Sequence, residues 1–203
     1  MKKILIALDV DGLLANFAAG ALIVVEQVTG KKFTLADITV FDFTKALGLS
    51  ASEAIEVKKA IGAKRGFAMS LPPYPEARQG VRRLRELGEV FCVTSPWDSN
   101  AWWRSERESW LALHFGIERV HHASDKTGYE ADVFVDDKSS HVHDWLSAWP
   151  GRTAVFWRTP HNTSESVPWG AHSIGSWEAL YEIAREAALG PVQPSLPMLE
   201  VAQ

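Results

Sequence analysis

Cysteine is nearly absent from this 203-residue chain, with Cys92 the single example. One thiol excludes an intramolecular disulfide and a cysteine-based zinc module, so the fold must rest on an apolar core. No segment approaches the ~20 consecutive apolar residues that a membrane-crossing helix needs. The run Ile4-Leu5-Ile6-Ala7-Leu8 follows Lys2 and Lys3 but stops at Asp9, too short for the apolar part of a secretory signal. A cytoplasmic location is therefore expected. Excess positive charge is also missing: 21 Lys and Arg stand against 25 Asp and Glu, giving a net charge of -4. With a pI near 6.0, no global basic field draws in a nucleic-acid polymer or an anionic membrane. An anionic ligand must be held by local groups or by a metal. No internal repeat is present.

What is there is ordinary globular material, 46% hydrophobic and 23% charged. At ~150 residues per domain, the length suits one domain with a sizeable insertion, or two at most. Tryptophan is the rich exception, nine in all, with Trp97, Trp102, Trp103 and Trp110 close together.

Short continuous apolar runs mark strands buried on both faces: Ile4 to Leu8, Val90 to Val93, Ala131 to Val135 and Thr153 to Trp157, with a shorter one at Arg119 to His121. Helical patterns alternate with them. Asn16 can cap a helix running to Val28, and Ser50 or Ser52 one running to Ile61. Pro75 suits the first turn of a helix that stops at Gly88. Further helices are expected over Asn100 to Phe115, over Ser139 to Trp149 with Ser139 or Ser140 as cap, and over Ser176 to Ala188. This alternation predicts a doubly wound α/β fold with a five-stranded parallel sheet. The stretch between the first two strands is too long for a normal crossover and holds no convincing strand. It reads as a mostly helical insertion, residues 17–74, on a core formed by 1–16 and 75–188. A Pro-punctuated tail, 189–203, reads as loosely attached.

Ligands of parallel α/β sheets bind outside the carboxyl ends of the strands. There the sequence places Asp9-Val10-Asp11-Gly12, Thr94-Ser95-Pro96 and Asp136-Asp137-Lys138. Asp9 and Asp11 are two apart, so in extended backbone both face one spot. Gly12 permits a sharp exit from the strand and leaves backbone N–H groups for an anion. Carboxylates gathered this way repel one another unless a divalent cation sits among them, and an all-oxygen donor set points to magnesium. Lys126 precedes the fourth strand and can supply the positive charge that a phosphate and a nucleophilic carboxylate both need.

These motifs, in this order, resemble the haloacid dehalogenase superfamily. The fuller pattern is Asp9 to Phe17, Thr94-Ser95-Pro96, His114-Phe115-Gly116, Asp125-Lys126-Thr127 and Val135 to Lys138. It is most similar to the 5'(3')-deoxyribonucleotidases. The resemblance spans roughly residues 1 to 180 and is weak across 29–69. It implies a Rossmann-like core with a cap, and a magnesium-dependent phosphatase of nucleoside monophosphates. Asp9 would be the nucleophile and Asp11 the general acid and base. Asp9, Asp11 through its backbone carbonyl, Asp136 and Asp137 would hold Mg2+, with Asp137 the favoured direct ligand of the acidic pair. Gly12, Thr94, Ser95 and Lys126 would surround the phosphate, and Phe17 stands where an aromatic stacks on the base. Lys138 replaces the pattern's arginine, and Trp97-Asp98 its aliphatic and basic pair.

Other readings stand beside this one. The chemistry could serve another small phosphomonoester or a nucleic-acid end, or the fold could be a non-catalytic phosphate-ligand-binding module. A helical lid argues for small substrates over polymers, and a homodimer is compatible with the sequence. His121-His122 and His141-x-His143 lack a third zinc ligand nearby. Cys92, flanked by apolar residues, reads as packing. Arg82 to Glu86 read as a solvated helix face. Phe17, Phe41, Phe43 and Phe67 can each be core of the insertion.

Overall fold

The computed structural model describes residues 2–190, and residues 191–203 of the expected tail lie outside them. β1 (Ile4–Leu8) lies inside the sheet with a parallel strand on each side, and its alternate residues enter a core on each face. Its neighbours are β2 (Gly88–Thr94) and β4 (Val133–Asp136). Beyond them lie β3 (Val120–His122) next to β2, and β5 (Thr153–Trp157) next to β4. A sixth strand, β6 (His172–Ile174), extends the sheet beside β5, where five strands were expected. It is a three-residue, largely exposed edge strand, so it has no apolar run to announce it. The order is β3-β2-β1-β4-β5-β6, all parallel.

The helices are α1 (Phe17–Thr29), α2 (Phe43–Ala46), α3 (Ala51–Ala63), α4 (Ala77–Leu87), α5 (Trp103–Phe115), α6 (Ser139–Ala148) and α7 (Trp177–Leu189). Asn16 caps α1 by accepting the Ala19 N–H, Ser50 caps α3 and Ser176 caps α7. Two expected starts move. α4 begins at Ala77, so Pro75 lies in the turn before the helix. α5 begins at Trp103, because Asn100 uses its side-chain oxygen on the Trp102 N–H and its amide elsewhere. α6 has no side-chain cap: Ser139 binds Glu165 instead.

Alternate residues of the strands feed two cores. Ile4, Ile6, Leu8, Val90 and Val133 join α4, α5, α7 and the helices that follow β1. Ala7, Phe91, Val93, Phe134 and Phe156 join Val142 and Trp145 of α6. The helices between β1 and α4 are tied to α5 and the loop before it through backbone. Asn100 donates to the carbonyls of Ile61 (3.0 Å) and Lys64 (3.1 Å). Glu106 accepts the N–H groups of Gly66 (2.6 Å) and Ala68 (3.1 Å), and Trp110 donates to Leu71 (2.8 Å). Among the described residues, no helix is long and apolar enough to cross a membrane.

Candidate active site

The chain leaves β1, extends the sheet to one side through β2 and β3, and returns to the other side at β4. Ligand crevices of open α/β sheets form where the strand order reverses in this way. Asp9 follows β1, Thr94 ends β2 and Asp136 ends β4, so all three arrive at this crevice. The pairing of Leu8 with Val135 sets the level, and the Asp9 N–H donates to the Val135 carbonyl at 2.8 Å.

Asp9, Asp136 and Asp137 are all buried, and one carboxylate oxygen from each lies within 4.8 Å of the others. Lys126 is buried between two of them, its Nζ 2.6 Å from Asp9 Oδ1 and 2.6 Å from Asp136 Oδ2. Burial pushes the Asp9 carboxyl well above its ordinary pKa, Lys126 opposes this, and Asp136, Asp137 and Asp11 add to it. Burial likewise raises Asp137, against His161, whose Nε2 lies 3.0 Å from Asp137 Oδ2. Asp136 is buried too, but Lys126 and His141 outweigh that and lower it to about 2. Burial opposes the charge on Lys126, yet Asp136 and Asp9 prevail and raise its pKa.

Gly12 has φ 79°, a conformation that favours glycine, and a Cβ there would collide with the Asp137 carboxylate. Its N–H donates to the Ala15 carbonyl at 3.0 Å, closing the turn. Thr94 Oγ1 is buried without a partner. Ser95 lines the same cavity as Asp9 and Lys126. Asp11 is placed apart from the three clustered carboxylates. Both its oxygens are taken by Nη2 of Arg107, at 2.8 and 2.9 Å.

The cavity above these groups holds about 470 Å³. Phe17, Phe41, Phe43, Trp97 and Trp103 form much of its wall. Phe17 stacks on Trp97 with centroids 5.6 Å apart, and meets Phe43 and Phe67 edge to face. It is thus both a cavity wall and part of an aromatic cluster. Arg107 and His161 are site residues the sequence reading missed, and His141, weighed there only for zinc, pairs with Asp136. Arg107 looked like one charge among many, though Trp103 and Trp110, four before and three after, mark its helix face as buried. Cys92 is buried packing, and burial raises its thiol pKa.

Comparison with known proteins places this arrangement first by its fold. A haloacid dehalogenase-like hydrolase of Burkholderia xenovorans LB400 superposes with a TM-score of 0.60, at 18% identity, over 92% of this chain and 99% of that one. The HAD-hydrolase YfnB of Bacillus subtilis, in a magnesium-bound form, gives 0.55 at 13% identity, over 92% and 100%. The fold is that of the haloacid dehalogenase-like hydrolases. More narrowly, the chain belongs to the family described as 5' nucleotidase, deoxy (pyrimidine), cytosolic type C protein, which matches residues 2–188. A curated relative, the mitochondrial 5'(3')-deoxyribonucleotidase of Mus musculus, is 27% identical over 152 residues, 68% of this chain and 66% of that protein. The matched region thus spans just under two thirds of that relative's length.

Proposed function

We propose that this protein is a magnesium-dependent phosphatase of nucleoside monophosphates, deoxy forms foremost, working through an aspartyl-phosphate on Asp9. The observation that carries this reading is a buried carboxylate, Asp9, sharing Lys126 with Asp136 beneath an aromatic-walled cavity at the reversal point of the sheet. Residues 17–74 would be the cap over a core of 1–16 and 75–188.

The donor set suits a hard cation: carboxylate oxygens only, buried, mutually repelling, with two of the three pKa values pushed up in its absence. Asp9, Asp136 and Asp137 would hold it, and YfnB, with the same fold, is described as magnesium-bound. When bound, the ion would supply positive charge to the phosphate and to Asp9 together. An Asp9 oxygen attacks phosphorus, forming an O–P bond as the ester P–O bond breaks. Asp11 gives its proton to the departing oxygen. Asp11 then takes a proton from water as the water oxygen attacks phosphorus, the Asp9–phosphorus bond breaks and phosphate leaves. Lys126, the unpartnered Thr94 hydroxyl and Ser95 hold the phosphate oxygens. The aromatic wall suits a planar base, and the name of the mouse relative points the same way.

Phosphate release from a deoxynucleoside monophosphate, glucose 6-phosphate and a 5'-phosphorylated oligonucleotide, each with magnesium and with EDTA, tests this. The nucleotide should be hydrolysed fastest, and only with magnesium restored. No release from the nucleotide, or undiminished release in EDTA, overturns it.

A further inference from the structure

Arg107 is fully buried, and its only polar partner among the described residues is the carboxylate of Asp11. Nη2 alone makes that contact, while Nε and Nη1 are buried with no partner. The guanidinium carbon lies 4.6 Å from the Trp103 ring centre and 5.9 Å from that of Trp110, one turn to either side on α5. Burying a guanidinium with most of its donors unused is costly, and such a group in a folded protein calls for a reason. A structural reason would be a network of bonds to backbone or to several side chains, as Glu106 and Asn100 make nearby. Arg107 makes none of these. Its charge is aimed at a single carboxylate whose side chain is 30% exposed and lines the cavity.

We propose that Arg107 is the positioning residue for Asp11. Wedged beside Trp103 and Trp110, it holds both Asp11 oxygens in one orientation beside the reacting phosphate, clear of the carboxylate cluster. This rests on the reading of Asp11 as the proton donor and acceptor of an aspartyl-phosphate reaction. A group that serves only Asp11 matters only in the steps that move a proton. With a nucleotide, Asp11 must protonate the leaving ribose oxygen. With p-nitrophenyl phosphate, the departing phenolate needs no proton, so transfer to Asp9 proceeds without Asp11. Release of phosphate from Asp9 then needs Asp11 to deprotonate water.

Stopped-flow and steady-state measurements on wild type, R107M, R107K and D11N test this. R107M should lower kcat on a deoxynucleoside monophosphate at least thirtyfold with KM changed less than threefold. On p-nitrophenyl phosphate it should give a stoichiometric burst of p-nitrophenolate followed by slow turnover, with phosphate trapped on Asp9, as D11N should. R107K keeps the charge and should recover at least a third of wild-type kcat on the nucleotide. An R107M that matches wild type on the nucleotide overturns the proposal. So does one that loses the burst along with turnover and is not restored by lysine, which is a structural role. If R107M does not fold, R107K decides: a kcat on the nucleotide under one tenth of wild type, with no burst on p-nitrophenyl phosphate, overturns the proposal. A D11N enzyme as active as wild type, or a wild type inert to both substrates, instead removes the reading of the site beneath it.

Discussion

Burial raises the Asp9 carboxyl well above its ordinary pKa, Lys126 opposes this, and the neighbouring Asp136 and Asp137 add to it. The folded protein therefore holds the Asp9 proton more tightly than the unfolded chain does. Stability from this group is present below the ordinary carboxylate value and is lost as pH rises through the raised one. Asp136 works in the opposite sense: lowered to about 2, it contributes above the ordinary value and fails as pH falls toward 2. Asp9→Asn therefore separates two consequences. In EDTA at pH 7.5 it should raise the melting temperature by ~2–4 °C, equivalent to about 1 kcal/mol, because it removes a poorly compensated buried charge. As pH falls and Asp9 takes up its proton, the gain should shrink. With magnesium the order should reverse, since only wild type keeps the full donor set. Turnover should meanwhile fall by about 10³-fold or more. Melting curves at two pH values with and without magnesium, beside a phosphate-release assay, check all of this. A lower melting temperature for Asp9→Asn in EDTA at pH 7.5 would show that Lys126 compensates Asp9 fully.

At the scale of elements, α5 has two tasks on adjacent residues. Arg107 faces Asp11, while Glu106 holds the N–H groups of Gly66 and Ala68 and so fixes the segment arriving from α3. Glu106→Ala should cost about 2 kcal/mol, since charge-assisted bonds to two backbone donors are lost. The melting temperature should drop by ~4–8 °C. Amide exchange at Gly66 and Ala68 should accelerate while that of β1 amides changes little, and equal acceleration at both places would refute a local tie. None of this was legible in Arg104-Ser105-Glu106-Arg107-Glu108, which has the composition of a solvated face. The strands were legible for the opposite reason. The centre of a parallel strand covered on both faces must be apolar, and β1, β2, β4 and β5 each carry such a run, Ile4 to Leu8, Val90 to Val93, Val133 to Val135 and Ala154 to Trp157. β6 escapes that demand because it lies at an edge, and its exposed His172 and Ser173 carry no such pattern.

For the molecule as a whole, the net charge of -4 gives an anionic substrate no general attraction. Selection must come from the cavity, where Lys58, Lys126 and Lys138 supply positive charge and the aromatic wall supplies shape. The strand-end motifs revealed the acidic floor of this cavity, since sheet topology alone brings Asp9, Thr94 and Asp136 together. Of its roof the sequence offered the aromatic residues, with Phe17 at the stacking position by resemblance, but not their arrangement. Phe17 and Trp97 stack although they come from separate parts of the chain, and Phe41 edges onto His161 from a segment with no clear pattern. If the roof recognises a base, stacking worth ~1–3 kcal/mol is at stake. A deoxynucleoside monophosphate should then exceed glucose 6-phosphate in kcat/KM by about tenfold or more, which requires only ~1.4 kcal/mol of differential binding in the transition state. Phe17→Ala should shrink that ratio while activity on p-nitrophenyl phosphate falls less. Phe17→Leu, which fills more of the space among Phe43, Phe67 and Trp103, separates packing from stacking: it should restore stability but not the ratio. Measuring kcat/KM for the three substrates on the three proteins decides the matter. A uniform loss across substrates in Phe17→Ala, repaired by leucine, would assign Phe17 to the aromatic cluster and leave base recognition to other parts of the wall.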